Sequence, residues 1–196
     1  MNLPNKLTLM RIILVPFFAA ALLIEAIPHH YLIALLIFSV ASITDMLDGK
    51  IARKYNMVTD FGKFADPLAD KILVISAFAC FIELGIVGAA FIILVLFREF
   101  SVTSIRLIAV ENGKVVAANM WGKAKTVSQM IAIIVVLING YLLELSGMGI
   151  ITGMPANAAD IIGIINISLL WISGVLTVVS GIIYIKDNFE FIKNAK

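Results

Sequence analysis

The chain has 196 residues, of which 61% are hydrophobic and 14% charged, with a formal net charge of +2. Its mean hydropathy of +1.05 excludes an ordinary water-soluble domain, because so apolar a chain would leave long greasy surfaces in water, and it points to a polytopic helical membrane protein. The lone cysteine, Cys80, sits in an apolar run and has no partner for an intrachain disulfide, so a packed membrane-helix thiol is expected.

Hydropathy predicts six membrane helices in one membrane domain covering residues 1–196: Leu7–Ile27, Tyr31–Thr44, Asp66–Leu84, Ile86–Val110, Thr126–Leu145 and Ile161–Ile185. The apolar run after Arg11 lacks a small-x-small cleavage site before a polar mature domain, so it is expected to be the first span and not a cleaved leader. All 15 Lys and Arg residues fall at the start of the chain, in alternate connections and at its end. The connections around Pro28, Gly85 and Gly147 to Asp160 carry none. By the positive-inside rule both termini and the second-to-third connection face the cytosol, and the protein resides in the cytoplasmic membrane.

In the N-terminal segment MNLPNKLTLMR, Asn5 or Thr8 is positioned to cap the first helix, while Leu3, Leu7 and Leu9 suit an interface. His29 and His30, in the turn after Pro28, are expected to be solvated at the outer interface. The second span has only a dozen or so apolar residues before Asp45, and the fourth few more before Arg98 and Glu99. Helices that lose apolar character halfway cannot face lipid along their whole length, so their charged ends should turn toward a wet cavity open to the cytosol.

Between the second and third spans lies SITDMLDGKIARKYNMVTDFGKFADPLADKI. On a helix Asp45, Asp48, Gly49 and Ala52 share one face, and Gly62, Asp66 and Asp70 stack at i, i+4, i+8 on the next. Asp60 reads as an ordinary residue of the polar connection, Thr59 as a cap, and Pro67 as a residue near a helix start, where a missing N–H costs least. One Asp at a bilayer centre costs about 2.5–3.5 kcal/mol on insertion scales. Four carboxylates at one locus therefore call for a cation, and hard oxygen ligands suit Mg2+ or Mn2+, as two ions about 3.5–4 Å apart.

The spacing D-x2-D-G-x2-A-R-x8-G-x3-D-x3-D is met in full by Asp45, Asp48, Gly49, Ala52, Arg53, Gly62, Asp66 and Asp70. It resembles the signature of the CDP-alcohol phosphotransferase family, membrane enzymes that join a CDP-linked alcohol to a second alcohol and release CMP. The start Pro4-Asn5, Thr8, Arg11 is similar to the P-N-x-x-T-x-x-R opening of the bacterial phosphatidylglycerophosphate-forming branch of that family, in which this segment closes over the nucleotide. The resemblance thus implies Asn5, Thr8 and, less directly, Arg11 as nucleotide contacts.

The fourth span ends in REFSVTSIRLIAVENGK, and NMWGKAKT opens the fifth. Arg98 and Glu99 midway along a membrane helix must pair with neighbours or line the cavity, and Arg106, two turns on, can face the same side as Arg98. Lys123 and Lys125 stand at the entrance to the fifth span; Lys114 and one of these two lysines suffice as topology charges. Cations converging beside a metal site make a natural phosphate pocket. R-E-x-x-V-T-x-x-R and A-A-N-x-x-G-K-x-K-T again resemble the branch whose acceptor is glycerol 3-phosphate. The resemblance is carried from Asn2 to about Gln129; beyond it Gly174, Gly181 and nearby serines suggest close helix packing and no chemistry.

The resemblance implies transfer of the phosphatidyl group of CDP-diacylglycerol to glycerol 3-phosphate. Asp45, Asp48, Asp66 and Asp70 would hold two divalent ions, and Asp70 would serve as base toward the acceptor hydroxyl. Asn5, Thr8, Asp48, Gly49, Ala52, Arg53, Gly62 and Asp66 would bind CDP-diacylglycerol, and Arg98, Arg106, Lys123 and Lys125 the acceptor phosphate. Inositol phosphate or phosphatidylglycerol as acceptor is the alternative inside the family, and a divalent-cation transporter the alternative outside it. A homodimer embedded in the lipid bilayer is expected, and nucleic acid is not an expected partner.

Overall fold

A computed structural model describes residues 3–54, 60–111 and 119–189, with the side chains of 3, 4, 45–54, 60–67, 70 and 111 outside the description. Among the described residues the chain is all-helical: α1 (Leu3–Leu23), α2 (His30–Lys54), α3 (Asp60–Glu83), α4 (Ala89–Glu111), α5 (Met120–Gly147) and α6 (Ala158–Asp187). Three of these, α1, α5 and α6, are long and apolar enough to cross a membrane, while α2 is apolar only over His30–Thr44.

Most helix ends extend beyond the hydropathy spans, although α1 stops at Leu23, short of Ile27, and α4 starts at Ala89, after Ile86. α2 continues past Thr44 to Lys54, α3 begins at Asp60 and not Asp66, and α5 begins at Met120 and not Thr126. Hydropathy marks where a helix meets lipid, whereas the i to i−4 hydrogen bonds persist wherever the chain stays satisfied. Several local expectations change with these bounds. Asn5 and Thr8 lie inside α1, so neither caps it; Asp60 is the first helical residue of α3; and Pro67 lies two turns inside that helix. Thr59 lies outside the described residues.

The helices run up and down. Arg11 on α1 reaches Ala41 on α2, and Leu22 O, near the other end of α1, accepts from His30 Nδ1 at the start of α2. α5 runs against α2 and α6, with Glu144 beside His30 and Tyr31, and Asn139 beside Asn166. α4 packs on α6, and α1 on both α2 and α3. Odd-numbered helices therefore start at the end where even-numbered ones finish.

The core is aromatic in its middle. Phe78 meets Phe91 edge-on at 4.9 Å, and Phe91 meets Trp171 at 6.0 Å. Such pairs exceed their area burial by about 0.5–1.5 kcal/mol. A β-carbon on Gly140 would fall 2.2 Å from the Tyr31 ring, so this position admits nothing larger than glycine at that approach. The outer surface carries large apolar side chains such as Phe97, Phe100, Ile164 and Ile182, a distribution suited to lipid rather than water.

Two reversals use one device. After α3, Gly85 takes φ 70° and the next N–H, that of Ile86, bonds back to Phe81 O at 2.8 Å. After α5, Gly149 takes φ 72° and the Ile150 N–H bonds back to Leu145 O at 3.0 Å. Both are left-handed helix stops in which glycine avoids the Cβ penalty and frees the next N–H to satisfy an orphan carbonyl.

Candidate functional site

α2 carries Asp45, Asp48, Gly49, Ala52 and Arg53, and α3 carries Gly62, Asp66 and Asp70. Both stretches are helical in backbone, as the i, i+3 and i, i+4 spacing requires, so each aspartate pair shares a helical face. The side chains of all eight lie outside the description. Four aspartates offer only hard, anionic oxygen, a donor set that fits Mg2+ or Mn2+ and would suit a softer metal poorly. Among the described residues no group of three or more His, Cys, Asp or Glu could hold a metal.

The polar edge of α1 points inward. Asn5, Thr8 and Arg11, three residues apart, are all buried, with Arg11 only 1% exposed. The Arg11 Nε donates to Ala41 O at 3.3 Å, one helical turn ahead of Asp45. A guanidinium so buried must be hydrogen-bonded to persist, and this one is held at the entry to the aspartate motif.

A second constellation joins α4, α5 and α6. Glu99 Oε1 accepts from Arg98 Nη1 at 2.9 Å and from Lys125 Nζ at 2.5 Å. Arg98 Nε also donates to Ser180 Oγ at 3.2 Å. A β-carbon on Gly181 would lie 2.9 Å from Arg98 Cγ, so that glycine lets the arginine lie flat across α6. Further along, Arg106 Nε donates to Tyr184 OH at 3.2 Å, with its guanidinium 5.5 Å from the Tyr184 ring centre. The Lys71 Nζ, next in sequence to Asp70, donates to Thr103 Oγ1 and so joins α3 to α4. Beside Arg98, Asn119 caps α5 by accepting the Gly122 N–H through Oδ1, and its Nδ2 is buried with no hydrogen-bond partner.

Of the four expected acceptor-phosphate residues, Arg98 and Lys125 are thus brought together, through Glu99. Arg106 stands apart on Tyr184, and Lys123 is exposed. Reading the sequence alone passed over Glu99 as a shared counter-ion, and over Ser180 and Tyr184 as partners. The signal lies in the spacing: Ser173, Thr177, the adjacent pair Ser180 and Gly181, and Tyr184 follow one another at three- or four-residue steps, forming a polar, small-residue stripe on an otherwise apolar helix. That stripe is buried, and it meets Gln129, Arg98 and Arg106 in turn.

The opposite end differs. His30 is buried against Leu22 O and Glu144 and is not solvated as expected, because the Glu144 carboxylate draws the start of α2 inward. Two open grooves of about 570 and 650 Å3 lie toward that end, lined by residues such as Cys80, Glu83, Gly140 and Asp160, and contain none of the candidate site residues.

Comparison with known proteins bears on this arrangement. The family model described as CDP-alcohol phosphatidyltransferase matches residues 1–183. The chain is 40% identical over 205 residues to the CDP-diacylglycerol–glycerol-3-phosphate 3-phosphatidyltransferase of Bacillus subtilis (strain 168), covering 99% of this chain and 98% of that one. It is 38% identical to the enzyme of the same name from Rickettsia felis, covering 94% of each. The likeness therefore runs well past Gln129: α5 and nearly all of α6 belong to the family pattern, in keeping with the bonds they make to α4. The chain belongs to the CDP-alcohol phosphatidyltransferase family.

Proposed function

We propose that this protein transfers the phosphatidyl group of CDP-diacylglycerol to glycerol 3-phosphate, forming phosphatidylglycerol phosphate and CMP. The observation that carries the reading is the end-to-end likeness to relatives of that name. The geometry adds a reason to choose a phosphorylated acceptor: half-buried Arg98 and buried Lys125 stand together beside one carboxylate, where a phosphate monoester has both a planar fork and a point charge to meet.

The family works with divalent metal ions; here we read Mg2+ or Mn2+, as a pair, held by Asp45, Asp48, Asp66 and Asp70. When bound, such ions neutralise the pyrophosphate of the lipid nucleotide and the charge that develops on transfer. Asn5 and Thr8 face the nucleotide from α1, together with Asp48 and Asp66. Gly49, Ala52 and Gly62 leave room for the cytidine, and Arg53 meets a phosphate or the ribose. Arg98, Lys125, Arg106 and Lys123 orient glycerol 3-phosphate by its phosphate. Asp70 takes the proton of the acceptor hydroxyl as its oxygen bonds to the phosphorus bearing diacylglycerol; the bond from that phosphorus to the CMP oxygen breaks, and CMP leaves.

In this reading the whole chain is one membrane domain crossing the cytoplasmic membrane six times. Both termini and the aspartate motif lie at the cytosolic face, as the Lys and Arg distribution supports, and two copies form a homodimer. The test is CMP release by the purified protein in lipid nanodiscs, with CDP-diacylglycerol and separately offered glycerol 3-phosphate, inositol phosphate, serine and phosphatidylglycerol. Glycerol 3-phosphate alone should support turnover, chelation should abolish it, and Mg2+ or Mn2+ should restore it. Preference for another acceptor would overturn the assignment.

A further inference from the structure

The Arg98, Glu99 and Lys125 trio has an electrostatic imbalance that helix packing does not require. Lys125 is 6% exposed and Glu99 9%, so both charges have left most of their water. A buried ion pair contributes little net stability, because desolvation offsets most of the attraction. A trio with two cations and one anion is worse placed still, since one positive charge has no carboxylate of its own among the described side chains. Among the described side chains no second carboxylate approaches Arg98 or Lys125.

The geometry is equally selective. α4 and α5 do not pack closely on each other: each leans on α6, and α3 lies against both. The Glu99 bond to Lys125 spans that gap, and both cationic nitrogens bond the same carboxylate oxygen, Oε1. Arg98 is fixed on its other side by Ser180 Oγ above Gly181. Its remaining nitrogen, Nη2, lies toward Gly122 at the start of α5, the residue capped by Asn119. Asn119 contributes a buried Nδ2 donor with no acceptor. An excess positive charge and an unmatched donor thus meet at one place, and both call for an anionic oxygen.

We propose that Glu99 is the positioning residue of the acceptor pocket, one carboxylate oxygen holding Arg98 and Lys125 side by side across the α4–α5 gap so that both grip a phosphate monoester. This rests on the reading of Arg98 and Lys125 as acceptor-phosphate ligands. Glu99 itself does not touch the phosphate, whose charge it would repel. It trades part of the pocket's attraction for a fixed spacing, so the pocket favours a compact monoester over a diffuse anion.

The full-length protein in nanodiscs, with KM measured separately for each substrate, tests this. Glu99→Gln should raise the KM for glycerol 3-phosphate about tenfold or more and leave that for CDP-diacylglycerol within about twofold, the split expected when an interaction with one substrate is lost. Glu99→Asp, which keeps the charge on a shorter arm, should recover most of the loss but not all of it, leaving the KM for glycerol 3-phosphate alone about two- to threefold above wild type. Equal rises in both KM values, or a wild-type KM for glycerol 3-phosphate in Glu99→Gln, would overturn the proposal. Arg98→Ala and Lys125→Ala separate the two layers. If they raise the KM for glycerol 3-phosphate and Glu99→Gln does not, the pocket stands and the role of Glu99 falls. If none of the three moves it, the pocket reading falls too, and the proposal with it. Should Glu99→Gln fail to fold, Glu99→Asp decides: a folded variant with a raised KM for glycerol 3-phosphate alone supports the proposal, and one with both KM values unchanged overturns it.

Discussion

The two ends of this bundle use charge for opposite purposes. Toward one end lie all the described basic residues: Lys6, Arg11, Lys71, Arg98, Arg106, Lys123, Lys125 and Lys186. Toward the other lie Glu25, Glu83, Glu144 and Asp160 with no described Lys or Arg. At the acidic end the best-placed carboxylate, Glu144, serves the backbone. Its two oxygens accept the His30 and Tyr31 N–H groups at 3.0 and 3.2 Å, and glycine stops finish α3 and α5 nearby. Among the described side chains of the basic end, Arg98 and Lys125 share the one carboxylate of Glu99 across helices, and the Asn119 Nδ2 donor is unmatched. A satisfied end is architecture.

The comparison makes its largest claim at the aspartate motif. Asp70→Asn keeps size and hydrogen-bonding capacity but removes the charge. It should lower kcat by about 10²–10⁴-fold, the range for loss of a positioned general base, while the protein stays folded and binds CDP-diacylglycerol. Appreciable turnover by that variant would remove Asp70 as the base. Arg106→Ala comes next. Its guanidinium rests on Tyr184 but is exposed, so its loss should raise the KM for glycerol 3-phosphate by about tenfold, as for one charge-assisted contact, with little change for the lipid. Equal effects on both substrates would assign Arg106 to architecture and blur the contrast between the ends.

What could be read from the chain alone follows the same division. The aspartate motif was legible because its spacing is local: three- and four-residue gaps fix a helical face without any knowledge of neighbours. The segregation of Lys and Arg was legible for the same reason. Helix extents were misjudged because hydropathy reports the surrounding solvent, and Asp45, Lys54 and Met120 stay helical where the sequence turns polar. The shared role of Glu99 was invisible because it depends on α4 and α5 both leaning on α6, a matter of packing that no spacing within α4 encodes. His30 was read as solvated because the residue that buries it, Glu144, is 114 positions away.

Two glycines sharpen the contrast. At the acidic end, Gly140→Ala would drive a methyl group to 2.2 Å from the Tyr31 ring. Overpacking of that kind costs about 1–3 kcal/mol. It should lower the thermal midpoint in detergent while leaving both KM values unchanged in the folded fraction. At the basic end, Gly181→Ala would press on Arg98 Cγ at 2.9 Å, displacing a side chain of the proposed acceptor pocket. Its main effect should fall on the KM for glycerol 3-phosphate, a rise of several-fold, on the order of the cost of misplacing one hydrogen-bonded charge. A pair of variants alike in chemistry and unlike in readout would separate the two ends directly.

The smallest effect is expected at Glu144. Its side chain is 8% exposed, and each oxygen bonds one N–H at the start of α2, where the helix dipole favours negative charge. Glu144→Gln keeps one acceptor oxygen and loses the charge, so stability should fall by about 1 kcal/mol, the sum of a modest dipole contribution and one weakened hydrogen bond. α2 also carries Asp45 and Asp48, about four and five turns beyond its first residue, so a helix that merely frays at its first turn should deliver them unchanged. Both KM values and kcat should match wild type. If Glu144→Gln instead impaired kcat, the anchoring of α2 at one end would control the aspartates at the other, and the ends would have to be treated as a coupled pair.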